Sequence, residues 1–123
     1  MTTSRSPDIR VKRVYDPAAP DDGARVLIDR LWPRGVSKER ADLESWDKEV
    51  APSNELRRWY AHDPALFEEF AERYRQELAD PGRVAELDRL RDLARTGRLT
   101  LLTATKDLPH GHVRVLVDVL TDG

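Results

Sequence analysis

Hydrophobic positions along the chain follow one period, then another, then the first again. From Ile9 to Val14, apolar Ile9 and Val11 alternate with Arg10 and Lys12, the period of two that a strand shows when one face meets water. Such a strand is expected near a sheet edge. From Arg25 to Arg30 the alternation disappears, and Val26, Leu27 and Ile28 form an unbroken apolar run of the kind found in a central strand covered on both faces. Arg98–Thr103, with Leu99, Leu101 and Leu102, has the same character. Between these two runs the spacing becomes helical: Phe67, Phe70, Tyr74 and Leu78 recur on one face, then Val84, Leu87, Leu90 and Leu93.

The punctuation agrees with the periods. Asp63-Pro64 and Asp80-Pro81 each pair a capping carboxylate with a proline suited to the first helical position, and Gly97 stops the second helix after Arg95. Two helices between two strands make a crossover, which predicts that the strands 25–30 and 98–103 are parallel. Val113, Leu116, Val117 and Leu120 predict a last helix packed back onto the sheet. The segment from Ser37 to Ala61 has an apolar side in Trp46, Val50, Leu56 and Trp59 but is broken at Ala51-Pro52-Ser53, which predicts two short helices, the second capped by Ser53. Residues 16–23 collect turn formers and read as a surface loop. The expected fold is a small α/β domain of three or two layers, with a short, mostly parallel sheet and about four to five helices.

Composition narrows the class. A chain of 123 residues, 39% of them apolar, fits a single domain, placed at residues 8–121 behind a polar tail over residues 1–7 that is expected to be disordered. Charged residues make up 36%, yet 21 Lys and Arg against 23 Asp and Glu leave a net charge of -2, so no overall basic field gathers nucleic acid or an anionic membrane. The absence of cysteine removes disulfides, thiolate nucleophiles and cysteine-bound metal. The residues from Met1 to Pro7 carry no apolar signal core, and no apolar run approaches the roughly 18 residues of a membrane helix, so a cytoplasmic location and no membrane partner are expected.

Ligands of an open parallel sheet bind outside the carboxyl ends of its strands. After residues 25–30 come Asp29, Arg30, Trp32, Arg34, Ser37 and Lys38; after residues 98–103 come Lys106, Asp107, His110 and His112. If the strands are neighbours, both groups face one pocket. Arg30 and Arg34 offer planar forks of donors suited to phosphate or carboxylate, and Lys106 adds charge. His110 is the proton-transfer candidate, with Lys106 beside it as the second catalytic candidate. Asp29, at the buried end of its strand, needs a partner, for which Lys106 is the candidate. Ser37 reads as a helix cap. His110 and His112 are two apart, too weak a pattern to assign a metal, and no cofactor signature such as a glycine-rich phosphate loop is present. Trp46 and Trp59 read as core, whereas Trp32 sits in a turn and is open to a ligand.

Five blocks carry a resemblance to a known family: Arg13-Val-Tyr-Asp16, Val26-Leu-Ile-Asp-Arg-Leu-Trp-Pro-Arg-Gly-Val-Ser-Lys38, Trp46-Asp-Lys-Glu-Val-Ala-Pro-Ser53, Glu55-Leu-Arg-Arg-Trp-Tyr-Ala-His-Asp63 and Leu101-Leu-Thr-Ala-Thr-Lys-Asp107. Together they resemble the YeaO-like branch of the domain-of-unknown-function family 488, over nearly the whole chain from Ile9 to Leu120. The resemblance aligns Ile28-Asp-Arg30 with an Asp-Val-Arg-like strand end of the wider family, and the region of His110 with a Cys-His-Arg-like element before its last helix. This chain has no cysteine there, so thiol chemistry of distant relatives does not carry over, and Gly111 stands where the closer branch is expected to have Asn. Some relatives carry a transcription-regulator label, which a chain without a basic recognition helix does not support.

The function expected from these residues is a pocket for a compact anionic ligand at the strand carboxyl ends, with an enzyme left open. The alternative is a non-catalytic nucleic-acid- or protein-binding regulatory module, nucleic acid being disfavoured by the charge balance. Oligomeric state is left open.

Overall fold

The two apolar runs at Val26 and Leu101 lie side by side. In the computed structural model, which describes residues 7–122, strands β1 (Asp8–Arg13), β2 (Ala24–Leu27), β3 (Ser45–Trp46) and β4 (Arg98–Thr103) form one parallel sheet in the order β1-β4-β2-β3. The tail expected over residues 1–7 lies, except for Pro7, outside the described residues. Among the described residues there are five α-helices: α1 (Lys38–Ala41), α2 (Asn54–Tyr60), α3 (Phe67–Leu78), α4 (Pro81–Thr96) and α5 (His112–Asp122). The chain therefore has the expected α/β class and parallel sheet. None of these helices is long and apolar enough to cross a membrane.

The helix starts follow from local chemistry. Ser53 Oγ accepts from the Leu56 amide at 3.1 Å and opens α2. Asp63 accepts from the Ala65 amide at 3.1 Å, and Pro64 begins a short 3-10 turn that runs into α3. Asp80 accepts from the Gly82 amide at 2.9 Å, with Pro81 as the first residue of α4.

Alternation along the strands then sorts the side chains. Ile9, Val11, Val26, Leu99 and Leu101 face α2, α3, α4 and α5, whose Leu56, Phe70, Tyr74, Leu78, Leu90 and Leu116 complete the main core. Leu27 and Leu102 point to the opposite face, where a smaller cluster with Val14, Trp32, Val36 and Leu43 covers them. One face is thus roofed by helices and the other by loops with the single-turn α1.

The segment 37–61 departs from the expected pair of helices. Its first half becomes the one-turn α1, the two-residue strand β3 and a 3-10 turn at Lys48–Val50; only α2 matches. The reason is pairing: the Asp47 amide donates to Leu27 O at 2.8 Å, and the Glu44 amide to Arg25 O at 2.7 Å, so the free edge of β2 captures a strand where propensity favoured a helix. Trp46 consequently sits on the sheet edge, 37% exposed rather than in the core, with its indole N–H donating to Asp29 O at 2.7 Å. The strand 25–30 is also shorter than expected, ending at Leu27.

The loop-covered face holds a buried charge cluster absent from the sequence reading of residues 16–23. Asp22 lies over the sheet and accepts from Arg25 Nη1 at 2.5 Å, Lys12 Nζ at 3.1 Å and the Ala19 amide at 2.9 Å, while Thr100 Oγ1 donates to its carbonyl at 2.6 Å. Gly23 lets the chain approach: its φ is 68°, and a Cβ there would stand 2.2 Å from Arg98 O, so no other residue fits. Burial pushes the Asp22 carboxyl up, but the Ala19 amide, Lys12 and Arg25 outweigh it and hold the carboxyl below the usual range. A depressed carboxyl stabilises the fold above its unfolded pKa, and that contribution disappears as pH falls through the folded value. Asp22→Ala should cost about 3–5 kcal/mol in urea denaturation at pH 7, because it strands a buried guanidinium. The difference from the unsubstituted protein should shrink as the pH is lowered through the carboxylate range; a constant gap would mean that packing rather than charge is responsible.

Candidate functional site

Register brings the carboxyl ends of β2 and β4 together, with Leu27 opposite Leu102. The Ile28 amide continues the ladder by donating to Leu102 O at 3.1 Å; then the chain turns, and Asp29 replaces further backbone pairing with its side chain. Its carboxylate accepts from the Thr103 hydroxyl at 2.7 Å and the Ala104 amide at 2.8 Å. His112, the first residue of α5, places Nε2 3.0 Å from Ile28 O and 3.2 Å from Asp29 Oδ1. Both neighbours are acceptors, so this nitrogen carries the proton in either charge state of the ring. Burial raises the Asp29 carboxyl, but hydrogen bonds from His112, Ala104 and Thr103 more than offset it and hold the group below the usual range. Lys106, the partner expected from sequence, is exposed and plays no part; the partners come from the end of β4 and the start of α5.

A cavity of about 650 Å³ opens over this junction. The turn after β2 contributes Asp29, Arg30, Trp32 and Arg34; α2 contributes Arg57, Arg58 and Tyr60; the loop after β4 and the start of α5 contribute Thr105, Gly111 and His112. Arg30 donates through Nε to Pro52 O at 3.0 Å and through Nη2 to Ala51 O at 3.1 Å, which fixes its plane without neutralising its charge. Arg57 reaches only the neutral Asn54 side chain, at 3.1 Å. The side chains of Arg34 and Arg58 have neither a hydrogen bond nor an ion pair among the described residues. Asp29 is the one carboxylate in the described lining, and its acceptors are occupied.

The neighbouring rings hold the walls. The Trp32 indole N–H donates to Val36 O at 2.8 Å and closes the Pro33-Arg34-Gly35 turn, and Tyr15 anchors the same turn through its hydroxyl, 3.2 Å from Arg34 O. Tyr60 donates to His110 O at 2.6 Å; burial, followed by the Asp107 and Asp63 charges, raises its hydroxyl above the ordinary value and keeps it a donor. Gly111 sits where a Cβ would come 3.0 Å from Thr105 Cγ2 and 3.2 Å from Asp107 O, so a side chain here would crowd the loop that leads into α5.

Of the residues singled out in the sequence, Asp29, Arg30, Trp32, Arg34 and His112 meet in this lining, and Ser37, Lys38, Lys106, Asp107 and His110 do not. Ser37 caps α1 by accepting from the Arg40 amide at 3.1 Å, and Lys38 follows it on the surface. His110 turns Nδ1 to Asp107 at 2.9 Å and its ring edge-on to Phe67. The two histidines of the His-Gly-His run thus have separate partners, and no group of three or more His, Cys, Asp or Glu side chains among the described residues is placed to hold a metal ion.

Sequence reasoning missed Tyr15, Arg57, Arg58 and His62. The helical spacing singles out neither Arg57 nor Arg58, and only their place in the Glu55–Asp63 block marked them. His62 enters the lining because Ala61 and His62 both adopt left-handed backbone, with φ of 48° and 58°.

Comparison with known proteins places residues 8–123 in the family described as the inactive DUF488-N3 subclade. An uncharacterised protein of Mycobacterium tuberculosis strain H37Rv is 48% identical over 118 residues, covering 94% of this chain and 96% of the relative. The uncharacterised protein YeaO of Escherichia coli K12 is 45% identical over 113 residues, covering 92% and 96%. No solved structure matches.

Asp29→Asn should lower stability by about 1.5–3 kcal/mol at pH 7, the cost of weakening charge-assisted hydrogen bonds. Because a depressed carboxyl loses its contribution on acidification, that deficit should fade as pH drops through the carboxylate range, as followed by denaturant titration. Ala61→Gly should raise stability by about 1 kcal/mol by relieving left-handed backbone; no gain in thermal unfolding would show that the turn is unstrained.

Proposed function

The chain belongs to the DUF488-N3 family, within the subclade described as inactive, and from that premise we propose that it binds a small anionic ligand without turning it over. One observation carries this reading: four guanidinium groups, Arg30, Arg34, Arg57 and Arg58, line a single cavity whose only described carboxylate is already satisfied. A protein of net charge -2 has carboxylates in excess, so arginines held away from them represent uncompensated local charge. The amino end of α5 reaches the same wall at His112, where the helix dipole further favours an anion.

Binding without turnover is supported from within the site. Asp29 spends its oxygens on Thr103, Ala104 and His112, and the protonated nitrogen of His112 faces two acceptors. The Asp29 carboxylate and the Nε2 edge of His112 are thus engaged with the strand ends and with each other rather than with a ligand. His110 and Lys106 lie outside the lining and have no step in this proposal.

Arg34→Ala and Arg58→Ala test it, since neither side chain has a partner among the described residues and both variants should fold normally. With pyrophosphate as the probe, calorimetry should give one site on the unsubstituted protein and a loss of about tenfold in affinity for each variant, the scale of one lost charge-assisted contact. Equal binding by all three proteins, or none by the unsubstituted one, would overturn the proposal.

A further inference from the structure

The cavity is larger and more strongly charged than a single phosphate or carboxylate needs, and we infer that its ligand is an organic diphosphate, two linked phosphate groups carried on an apolar body. The inference rests on the anion-binding reading and goes beyond it by naming the ligand class. Four guanidiniums against the one charge of Asp29 leave a surplus of three positive charges in the lining. A phosphate monoester supplies only about two negative charges near neutral pH. A second linked phosphate closes the difference.

Size points the same way. At about 30 Å³ per molecule of liquid water, a cavity of 650 Å³ holds roughly twenty waters. A lone tetrahedral anion displaces few of these, whereas pockets of roughly 300–1,000 Å³ suit organic ligands. The rest of the wall matches such a body: the exposed Leu31 and the half-buried Trp32 supply apolar surface beside the arginines, with the buried Pro33, Pro52 and Phe70 behind them. Leu31 is 62% exposed at this wall, a large apolar side chain left in water that a bound apolar group would cover.

The cations also come from two separate elements. Arg30 comes from the turn after β2 and is fixed by the Ala51 and Pro52 carbonyls that lead into α2, and Arg57 and Arg58 stand on α2 itself. One phosphate held by Arg30 and a second by the α2 pair would use both sets of donors, with Arg34 as a further cation in the same lining. Several donor groups in one lining select for a ligand with two anionic groups over one with a single group.

The test compares, by calorimetry on the whole chain, two organic diphosphates of different body, ADP and isopentenyl diphosphate, with AMP, isopentenyl monophosphate, adenosine, pyrophosphate and a single-stranded oligonucleotide. At least one organic diphosphate should bind about tenfold or more tighter than its own monophosphate and than pyrophosphate, one decade corresponding to one additional charged or apolar contact. Which of the two prevails tells a planar from an aliphatic body. Arg58→Ala should abolish the preference for diphosphate over monophosphate, and Leu31→Ser should weaken the organic diphosphate while leaving pyrophosphate unchanged. Pyrophosphate or the monophosphates binding as tightly as both organic diphosphates would overturn the ligand class and leave the anion site standing. Binding of the oligonucleotide in preference to all of them would overturn it in favour of a polymer groove, and failure of every anion would remove the anion site as well.

Discussion

The carboxylate of Asp29 is the joint on which the site depends. It stands where β2 leaves the sheet and gathers the Thr103 hydroxyl and Ala104 amide from the end of β4 and the His112 ring from the start of α5. Two parallel strands have no turn to join them, and their ends would otherwise splay as each loop departs in its own direction. One buried anion, satisfied by donors from both sides, holds the three departures at a fixed separation, and the hollow between them becomes the cavity. Because both oxygens already accept from these donors, the charge that organises the pocket is partly offset at its own place.

A second carboxylate performs a comparable service on the other side of the sheet. Asp22 closes the loop-covered face by pairing with Lys12 of β1 and Arg25 of β2 and lies over Thr100 of β4. This face has only loops and the one-turn α1 over it, so polar groups of the connections themselves satisfy what the strands present. The sheet is therefore clamped at its carboxyl end through Asp29 and across its loop-covered face through Asp22, while the helical face is held by apolar packing.

Charge in this protein is organised by position rather than by total. The balance of acids and bases is near even, and most carboxylates serve helix faces and caps: Glu69 with Arg73, Asp88 with Arg91, Asp92 with Arg95. Such exposed pairs contribute little to stability. Their effect is to occupy cations elsewhere, and the arginines around the cavity are among those left with carbonyls, a neutral amide or no partner among the described residues, as Arg83 and Arg114 are left with carbonyls elsewhere. A positive pocket on an acidic chain follows from that allocation.

Periodicity alone determined the two central strands, the polar edge strand, helices α3, α4 and α5 and their caps, because each of these is set by local spacing or by a residue adjacent to the helix start. It also brought Asp29, Arg30, Trp32, Arg34 and His112 to one end of the sheet, since parallel pairing of two strands follows from the length of the crossover. Only the tertiary structure decided the rest. The free edge of β2 turned the segment around Trp46 into a strand against its helical pattern, and burial of Asp22 over the sheet depended on Gly23 meeting Arg98. The placement of Arg57, Arg58 and His62 depended on where α2 docks, and the separation of His110 from His112 on the partner each ring found. These are contacts between residues distant in the chain, whose energies exceed the weak local preferences that a sequence displays.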